Sequence, residues 1–268
     1  MQWDEAVPVA IKTIKPIHVD APLLQRMLSV IDLTSLNADD TERGIAAFCE
    51  KAQLPFGHVA AVCIYPAFLR LVAANFAGTS IKVATVVNFP HGDSSLESVL
   101  LEIGDALQNG AEEIDVVFPY RRYLAGDKEY ARTFVADCKA ACGEKVSLKV
   151  ILETGALRES NIIADASLTA LTAGADFIKT STGKIPEGAT LEAAATMMLV
   201  VKQLTPQLKR KLGVKISGGV RDVAQAAEYM QLAENIMGRD WVEPETFRIG
   251  ASKLVDEIMK GMVGKASP

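Results

Sequence analysis

Short apolar runs alternate with longer amphipathic stretches along most of this chain, and residues typical of turns separate the two kinds of segment. Apolar runs bounded by turns indicate buried strands, whereas apolar residues spaced three and four apart indicate helices. The predicted strands are Ile31–Thr34, Val59–Tyr65, Val83–Val87, Ile114–Phe118, Leu148–Leu152, Phe177–Thr180, Val214–Ser217 and Phe247–Ala251. The predicted helices are Asp39–Ala52, Pro66–Ala77, Ser94–Asn109, Asp127–Cys142, Glu159–Ala173, Leu191–Leu204, Val223–Leu232 and Ser252–Met262.

This order of elements predicts an α/β fold, a single-domain TIM (β/α)8 barrel. Eight strand-then-helix units in about 240 residues suit a closed parallel barrel. We expect residues 27–262 to form the catalytic barrel domain, residues 1–26 a short N-terminal extension that covers the barrel bottom, and residues 263–268 a flexible tail. A doubly wound open sheet is the alternative, but no GxGxxG follows the first strand to support a dinucleotide site.

Two segments share a pattern that relates their ionisable residues. Gly110-Ala-Glu-Glu-Ile-Asp115 and Gly174-Ala-Asp-Phe-Ile-Lys179 each begin with a glycine that ends a helix and place an ionisable residue five positions later. If the two units are equivalent, Asp115 and Lys179 lie at the same depth on the fourth and sixth strands. Because alternate strands fill one side-chain layer of such a barrel, the pattern places a carboxylate and an amine in one interior layer.

Five charged residues interrupt the predicted strands: Asp32, Asp115, Lys149, Lys179 and Lys215. A buried charge costs several kcal/mol unless it is paired or neutralised. Any one of the five is explained equally well by an outward orientation or a structural ion pair, but five in one predicted barrel favour a functional site. Lys149 lies several residues before the end of its strand, so we expect it to lie deeper and to balance charge.

Lys179 and Lys215 lie near the C-terminal ends of adjacent predicted strands, where barrel active sites form. Burial and the charge of a neighbouring ammonium both lower a lysine pKa, so we expect Lys215 to leave part of Lys179 uncharged near pH 7. An uncharged lysine can form a Schiff base with a carbonyl compound. Asp115 and Asp32 would then accept protons during carbinolamine dehydration and from the carbon next to the iminium.

Glycine-containing loops follow the last three predicted strands, namely Thr182-Gly183-Lys184, Ser217-Gly218-Gly219 and Gly250-Ala251-Ser252. Backbone N–H groups presented after the last barrel strands often form a phosphate site, and Lys184, Arg221 and Lys253 add positive charge. Each glycine alone is as readily explained by a tight turn. Three on consecutive loops favour an anion site.

Composition and motif searches argue against several other functions. The chain has 268 residues, is 49% hydrophobic and carries a net charge of −5, which argues against nucleic acid or an anionic membrane as a partner. The N-terminus lacks an apolar signal core and no run reaches membrane-spanning length, so a cytoplasmic protein with reduced thiols is expected. The four cysteines include no CxxC pair, and His91 and the other histidines lack metal-ligand spacing. We therefore expect neither a metal nor a cofactor.

Seven motifs, in order along the chain, resemble deoxyribose-phosphate aldolase. They are Ile31-Asp-Leu-Thr-Ser-Leu-Asn37, Cys63-Ile-Tyr-Pro66, Asn88-Phe-Pro-His-Gly92, Glu113-Ile-Asp-Val-Val117, Phe177-Ile-Lys-Thr-Ser-Thr-Gly-Lys184, Val214-Lys-Ile-Ser-Gly-Gly219 and Phe247-Arg-Ile-Gly-Ala-Ser252. The resemblance covers nearly the whole chain, and the motifs that contain Lys179 and Lys215 are specific to that family.

The resemblance implies a class I aldolase on a TIM barrel that cleaves 2-deoxy-D-ribose 5-phosphate reversibly to D-glyceraldehyde 3-phosphate and acetaldehyde. Lys179 matches the Schiff-base lysine, Lys215 the lysine that tunes it, Asp115 the carboxylate of the proton relay, and Asp32 the residue that orients Lys215. The substrate and phosphate contacts that the resemblance implies are Thr34, Cys63, Thr182, Gly183, Lys184, Gly218, Gly219, Gly250 and Ser252. The partners would be the sugar phosphate and acetaldehyde, and a homodimer is one assembly open to the chain.

The sequence departs from the family pattern at three places. Ile216-Ser217 follows Lys215 where many members have Pro-Ala, Lys253 stands where a second phosphate-binding serine is common, and residues 261–268 lack the terminal tyrosine of some relatives. Two alternatives therefore stay open: a Schiff-base aldolase acting on another sugar phosphate, and a barrel that only binds a phosphorylated sugar.

Overall fold

The computed structural model describes residues 2–263, which form a closed barrel of eight parallel strands. The barrel strands are β1 (Ile31–Thr34), β2 (Ala61–Ile64), β3 (Lys82–Val87), β4 (Glu113–Val117), β5 (Ser147–Ile151), β6 (Phe177–Lys179), β7 (Gly213–Ser217) and β8 (Phe247–Ala251). Each strand pairs in parallel with the next, and β8 pairs with β1 to close the barrel. The predicted TIM-barrel fold class is confirmed.

Helices surround the barrel. Those described in residues 2–263 are α1 (Trp3–Ile11), α2 (Ala21–Ser29), α3 (Glu42–Cys49), α4 (Leu69–Phe76), α5 (Leu96–Gln108), α6 (Tyr120–Leu124), α7 (Lys128–Cys142), α8 (Thr154–Leu157), α9 (Ser160–Thr172), α10 (Leu191–Leu208), α11 (Val223–Met237) and α12 (Leu254–Val263). Short 3-10 turns (Glu50–Ala52, Pro66–Phe68, Arg239–Trp241) and a two-stranded hairpin (Gln53–Leu54 with Gly57–His58) complete the described elements.

Side-chain caps explain where many of these helices begin. Thr41, Ser95, Asp127, Thr190 and Asp222 each accept a hydrogen bond from the backbone N–H three residues later. Such a cap satisfies an N–H group that the first turn of a helix leaves without a partner. The caps thus fix where each loop from the barrel mouth enters its helix.

Helix α1 lies in the N-terminal extension and packs on other helices. It buries Val7 and Ala10 and contacts α9, α10 and α11. The apolar face of α1 packs against the apolar faces of those helices. At the other end, α12 continues to Val263, and the rest of the predicted tail, 264–268, lies outside the described residues.

The barrel interior has an apolar side and a charged side. Ala61, Cys63, Ala84 and Val86 of β2 and β3 form a separate buried cluster with Leu36, apart from the main core between strands and helices. The charged residues come from the remaining strands. Within residues 2–263, the structure contains no helix with the length and hydropathy that a bilayer crossing requires.

Candidate active site

Seven charged side chains lie together inside the barrel, and none is more than 4% exposed. They are the carboxylates Asp32, Glu113 and Asp115 and the cations Lys149, Lys179, Lys215 and Arg248. Burying any one of them alone would be strongly unfavourable, so their mutual pairing permits the burial of all. With Lys179 uncharged, the cluster carries three positive and three negative charges.

Asp115 lies at the centre of the cluster and accepts hydrogen bonds from three lysines. Its Oδ2 atom is 2.8 Å from Nζ of Lys179 and 2.7 Å from Nζ of Lys215, and its Oδ1 atom is 2.8 Å from Nζ of Lys149. The predicted proximity of Asp115 and Lys179 is thus observed directly.

The strand register explains why these two residues are level. In the strand register, Asp115 lies opposite Lys149, and Lys149 lies opposite Phe177. Lys179 therefore lies two residues beyond Phe177, the residue of β6 that the register relates to Asp115. Strands in such a barrel tilt, and the stagger of about one residue per strand compensates for this difference over two strands. Alternate strands therefore contribute to one layer, as the repeated glycine pattern predicts.

A second set of ion pairs lies beneath Asp115. Lys149 Nζ is 2.6 Å from Glu113, and Arg248 contacts Glu113 at 2.8 Å and Asp32 at 2.5 Å. Asp32 in turn lies 2.6 Å from Nζ of Lys215. Lys149 is therefore deep and balances charge as expected, while Arg248 and Asp32 support the lysine that neighbours Lys179.

The surroundings of Lys179 and Lys215 shift the pKa values of these two lysines in opposite directions. Burial lowers the pKa of Lys179, and the charge of Lys215 lowers it further, against the opposing effect of Asp115. Burial also disfavours charged Lys215, but Asp115 and Asp32 together raise the pKa of Lys215 above its ordinary value. Lys179 is thus the better nucleophile and Lys215 the better cation.

The two central carboxylates stay ionised. Burial alone would raise the pKa of Asp115, yet Lys149, Lys179 and Lys215 hold that pKa well below its usual range. Burial likewise opposes ionisation of Asp32, and the positive charges around it, led by Lys215, lower the pKa of Asp32. Asp115 and Asp32 are therefore weak bases, and a proton transferred to either carboxylate leaves it readily.

A cavity of about 510 Å³ opens at the C-terminal ends of β1, β6, β7 and β8, and Lys179 lines it. Among the predicted contacts, those that also line the cavity are Thr34, Thr182, Gly183, Lys184, Gly218, Gly219, Gly250 and Ser252, together with the cationic Arg221 and Lys253. Another cavity, of about 390 Å³, contains Glu113 and Arg248 and lies toward the N-terminal ends of the strands. Lys179 faces the first cavity, which is therefore the candidate active site.

Backbone conformation brings the glycine loops close together. Gly183, Gly218 and Gly219 have φ values of 74°, 90° and 95°, a region that residues with a Cβ rarely adopt. A Cβ at Gly188 would lie 2.2 Å from the carbonyl oxygen of Gly218, so the loop after β6 packs directly on the loop after β7. Lys184 extends across the mouth, where its Nζ donates to the carbonyl oxygen of Leu36 at 2.5 Å.

The side chains of Cys63, Thr34 and Thr182 have the following surroundings. Cys63 is fully buried in the apolar cluster, outside the set that lines the cavity, and burial raises the pKa of its thiol. The Thr34 hydroxyl donates to the carbonyl oxygen of Asp32. The Thr182 hydroxyl donates to the carboxylate of Glu153 at 2.5 Å and accepts from the backbone N–H of Lys184 at 3.0 Å.

Sequence reasoning did not single out Glu113, Arg248 or Glu153. Glu113 precedes Asp115 by two residues and therefore shares its face of β4, and Arg248 interrupts an apolar strand. Both signals were available in the strand periodicity. Glu153 lies just beyond β5, where it reads as an ordinary turn residue, and no periodic signal could have identified it.

A metal site would need a cluster of histidine, cysteine or carboxylate ligands. Between residues 2 and 263, no group of three or more His, Cys, Asp or Glu side chains is arranged to hold a metal ion. The carboxylates of the barrel are instead engaged by lysine and arginine side chains.

Comparison with known proteins places this chain among aldolases. A family model described as DeoC/LacD family aldolase matches residues 26–241. A crystal structure from Toxoplasma gondii ME49, which carries the provisional name deoxyribose-phosphate aldolase, is 28% identical, with a TM-score of 0.84, 92% of this chain covered and 96% of that chain.

Two further structures show the same barrel. One from Coccidioides immitis, under the same provisional name, is 28% identical with a TM-score of 0.76 and covers 96% of this chain and 97% of its own. A tetrameric deoxyribose phosphate aldolase from Aeropyrum pernix is 23% identical with a TM-score of 0.71, covering 97% and 98%, and supports the fold alone.

Proposed function

We propose a reaction for this protein from one premise, that the chain belongs to the DeoC/LacD family of aldolases. The proposed reaction is the reversible cleavage of 2-deoxy-D-ribose 5-phosphate to D-glyceraldehyde 3-phosphate and acetaldehyde, through a Schiff base on Lys179. The observation that carries the proposal is the pairing of Lys179 and Lys215 on one oxygen of Asp115, next to the mouth cavity. That arrangement supplies an amine with a lowered pKa where a carbonyl compound can reach it.

The first half of the reaction forms the covalent intermediate. The uncharged amine of Lys179 attacks C1 of the open-chain sugar, and a proton moves from nitrogen to oxygen to give a carbinolamine. The hydroxyl of the carbinolamine takes a proton and leaves as water. The ammonium group of Lys215 supplies this proton through Asp115. The product is an iminium ion, whose positive charge is stabilised by the ionised Asp115.

The second half breaks the carbon–carbon bond. The C3 hydroxyl gives up its proton, the C2–C3 electron pair moves toward the iminium, and D-glyceraldehyde 3-phosphate leaves. The remaining enamine takes a proton at C2, and water then releases acetaldehyde from Lys179. Asp115 and Lys215 exchange the required protons, because the lowered pKa of Asp115 prevents it from retaining one.

The phosphate end of the substrate is assigned to the glycine loops. Gly183, Gly218, Gly219 and Gly250 bring backbone close to the cavity, and Ser252 lies at the same rim. Lys184, Arg221 and Lys253 give this rim positive charge, which matches a phosphate group. Lys253 replaces the more common serine, so we expect the charge of this side chain to contribute to phosphate binding.

An assay of aldehyde release tests the proposed reaction. Purified protein should release acetaldehyde from 2-deoxy-D-ribose 5-phosphate much faster than it cleaves fructose phosphates. Faster cleavage of a fructose phosphate would favour the alternative Schiff-base aldolase. Phosphate-dependent binding without turnover of any sugar phosphate would favour the barrel that only binds its ligand.

A further inference from the structure

Glu153 occupies an unusual position between the barrel and the mouth loops. It follows β5, is fully buried, and has left-handed backbone angles of φ 58° and ψ 61°. Residues with a Cβ adopt this conformation at an energetic disadvantage, and such residues concentrate at functional sites. The backbone conformation therefore requires an explanation that local sequence does not supply.

The carboxylate of Glu153 is buried without an ion pair among the described residues. Within residues 2–263, its two oxygens accept hydrogen bonds only from Thr182, one from the backbone N–H at 3.2 Å and one from the hydroxyl at 2.5 Å. Burial raises the pKa of Glu153, and the Thr182 hydrogen bonds and the charge of Lys179 oppose that shift. An unpaired buried carboxylate is unfavourable for folding, so its retention at this place points to a role in the site.

Thr182 transmits this contact to the residues of the glycine loop. Its hydroxyl accepts from the backbone N–H of Lys184 at 3.0 Å, which closes the turn around Gly183. A second link runs beside it, because the N–H of Thr154 donates to the carbonyl oxygen of Thr180 at 2.9 Å. The loop after β6 is thus held from the loop after β5, through Glu153 and Thr154.

The segment held in this way lies on the wall of the active-site cavity. Gly183 and Lys184 line the cavity, and a Cβ at Gly183 would lie 3.9 Å from Cα of Gly218 in the neighbouring loop. A small displacement of Thr182 would therefore change the spacing between the two loops.

We propose that Glu153 is a positioning residue that sets the conformation of Thr182-Gly183-Lys184 for a phosphate group in the cavity. The proposal rests on the proposed function, since it assumes that these loops receive the phosphate end of the substrate. Glu153 acts through Thr182 and has no part in the chemistry on Lys179. Its loss should weaken binding of phosphorylated sugars and leave the reaction of unphosphorylated sugars nearly unchanged.

Substitutions at Glu153 and Thr182 test the proposal. Glu153→Ala should raise KM for 2-deoxy-D-ribose 5-phosphate at least about tenfold, equal to about 1.4 kcal/mol, with a smaller change in kcat. Its kcat/KM for unphosphorylated 2-deoxy-D-ribose should stay within about twofold of wild type. Glu153→Gln keeps one acceptor oxygen, so its KM for 2-deoxy-D-ribose 5-phosphate should lie between those of wild type and Glu153→Ala.

The controls separate positioning from general damage. Glu159→Gln changes an exposed glutamate in the same connection and should match wild type. If Glu153→Ala fails to fold, Thr182→Val removes the hydroxyl that Glu153 contacts and should raise KM for 2-deoxy-D-ribose 5-phosphate, whereas Thr182→Ser should restore it. An equal loss on phosphorylated and unphosphorylated sugars, or an unchanged KM in Glu153→Ala and Thr182→Val, would overturn the proposal.

Binding of inorganic phosphate gives a readout that needs no turnover. Isothermal titration should show phosphate binding to wild type and to Glu159→Gln, and at least about tenfold weaker binding to Glu153→Ala. Equal phosphate affinity in wild type and Glu153→Ala, or no binding to wild type, would reject the role of Glu153. Failure of Lys179 to react with aldehydes would instead reject the proposed function, and the comparison of phosphate affinities would still be valid.

Discussion

Lys179 and Lys215 pair in register on neighbouring strands, and their Nζ atoms contact the same atom, Asp115 Oδ2, at 2.8 and 2.7 Å. One carboxylate oxygen does not fully compensate two cations, so one lysine is readily deprotonated. Lys215 has a second carboxylate, Asp32, at 2.6 Å, whereas the described ion pairs of Lys179 involve Asp115 alone. The lysine that faces the cavity is therefore the one that loses its proton.

Replacing Lys215 with methionine should reduce turnover through the pKa of Lys179. Without the neighbouring charge, Asp115 stabilises protonated Lys179 alone, so the pKa of Lys179 rises. Each unit of increase reduces the uncharged fraction near neutral pH by about tenfold, so kcat/KM at pH 7 should fall by about tenfold or more. The pH–rate profile should show its acid limb displaced to higher pH.

Lys211→Met is the matched control for that experiment. Lys211 precedes β7, and its side chain is 66% exposed, so its loss changes the same formal charge at a distance from the site. It should leave the profile unchanged. An acid limb at the wild-type pH in Lys215→Met would contradict the electrostatic role of Lys215.

The wild-type protein should react with aldehydes faster as the pH rises. Only uncharged Lys179 is nucleophilic, and its pKa lies below the ordinary value, so the reactive fraction grows as the pH rises through that lowered pKa. Lys215 keeps its proton over this range because its pKa is raised. The rate of adduct formation should therefore increase when it is measured from about pH 5 to about pH 9. A rate that decreases as the pH rises would exclude Lys179 as the free amine.

Replacing the buried Arg248 with methionine should lower the free energy of unfolding. Arg248→Met removes one of the buried cationic partners of Asp32 and of Glu113 and leaves Asp32 with Lys215 and Glu113 with Lys149. Breaking a buried ion pair typically costs about 3–5 kcal/mol. Chemical denaturation should show this loss in the free energy of unfolding. Arg132→Met, which removes an exposed arginine paired with Glu129, should remain close to wild type. Equal stability of the two variants would contradict the account of the buried cluster.

Chelation of divalent metals should leave cleavage activity intact. The iminium ion on Lys179 withdraws electrons from the breaking bond, which is the role that a Lewis-acidic metal fills in other mechanisms. Activity measured after dialysis against EDTA should equal the untreated activity. A loss that an added divalent metal restores would show that the iminium alone is insufficient.

The sequence predicted the barrel because each strand carries its own local signal. Ile31–Thr34 and Phe247–Ala251 were predicted with their observed bounds, and the other six barrel strands differ by one or two residues at their ends. Helix α1 escaped prediction because Pro8 lies inside it, and an interior proline usually interrupts a helix. The local pattern therefore sufficed for the barrel, but it did not predict α1, α2, α6 or α8.

The site was predicted less completely because its contacts cross the barrel. The repeated glycine pattern related Asp115 to Lys179, since both lie at equivalent points of their strands. The contact of Arg248 with Glu113 joins residues 135 positions apart and depends on strand tilt. Glu153 depends on the path of two loops, which neither spacing nor composition specifies.

The most direct test of the account is reductive trapping of the covalent intermediate. Sodium borohydride added with acetaldehyde should leave an ethyl group on Lys179, located by peptide mass spectrometry, and Lys179→Met should acquire no adduct in the barrel. Modification of a different lysine in the wild-type protein, or no modification at all while acetaldehyde is cleaved from substrate, would contradict the assignment of Lys179 as the Schiff-base residue.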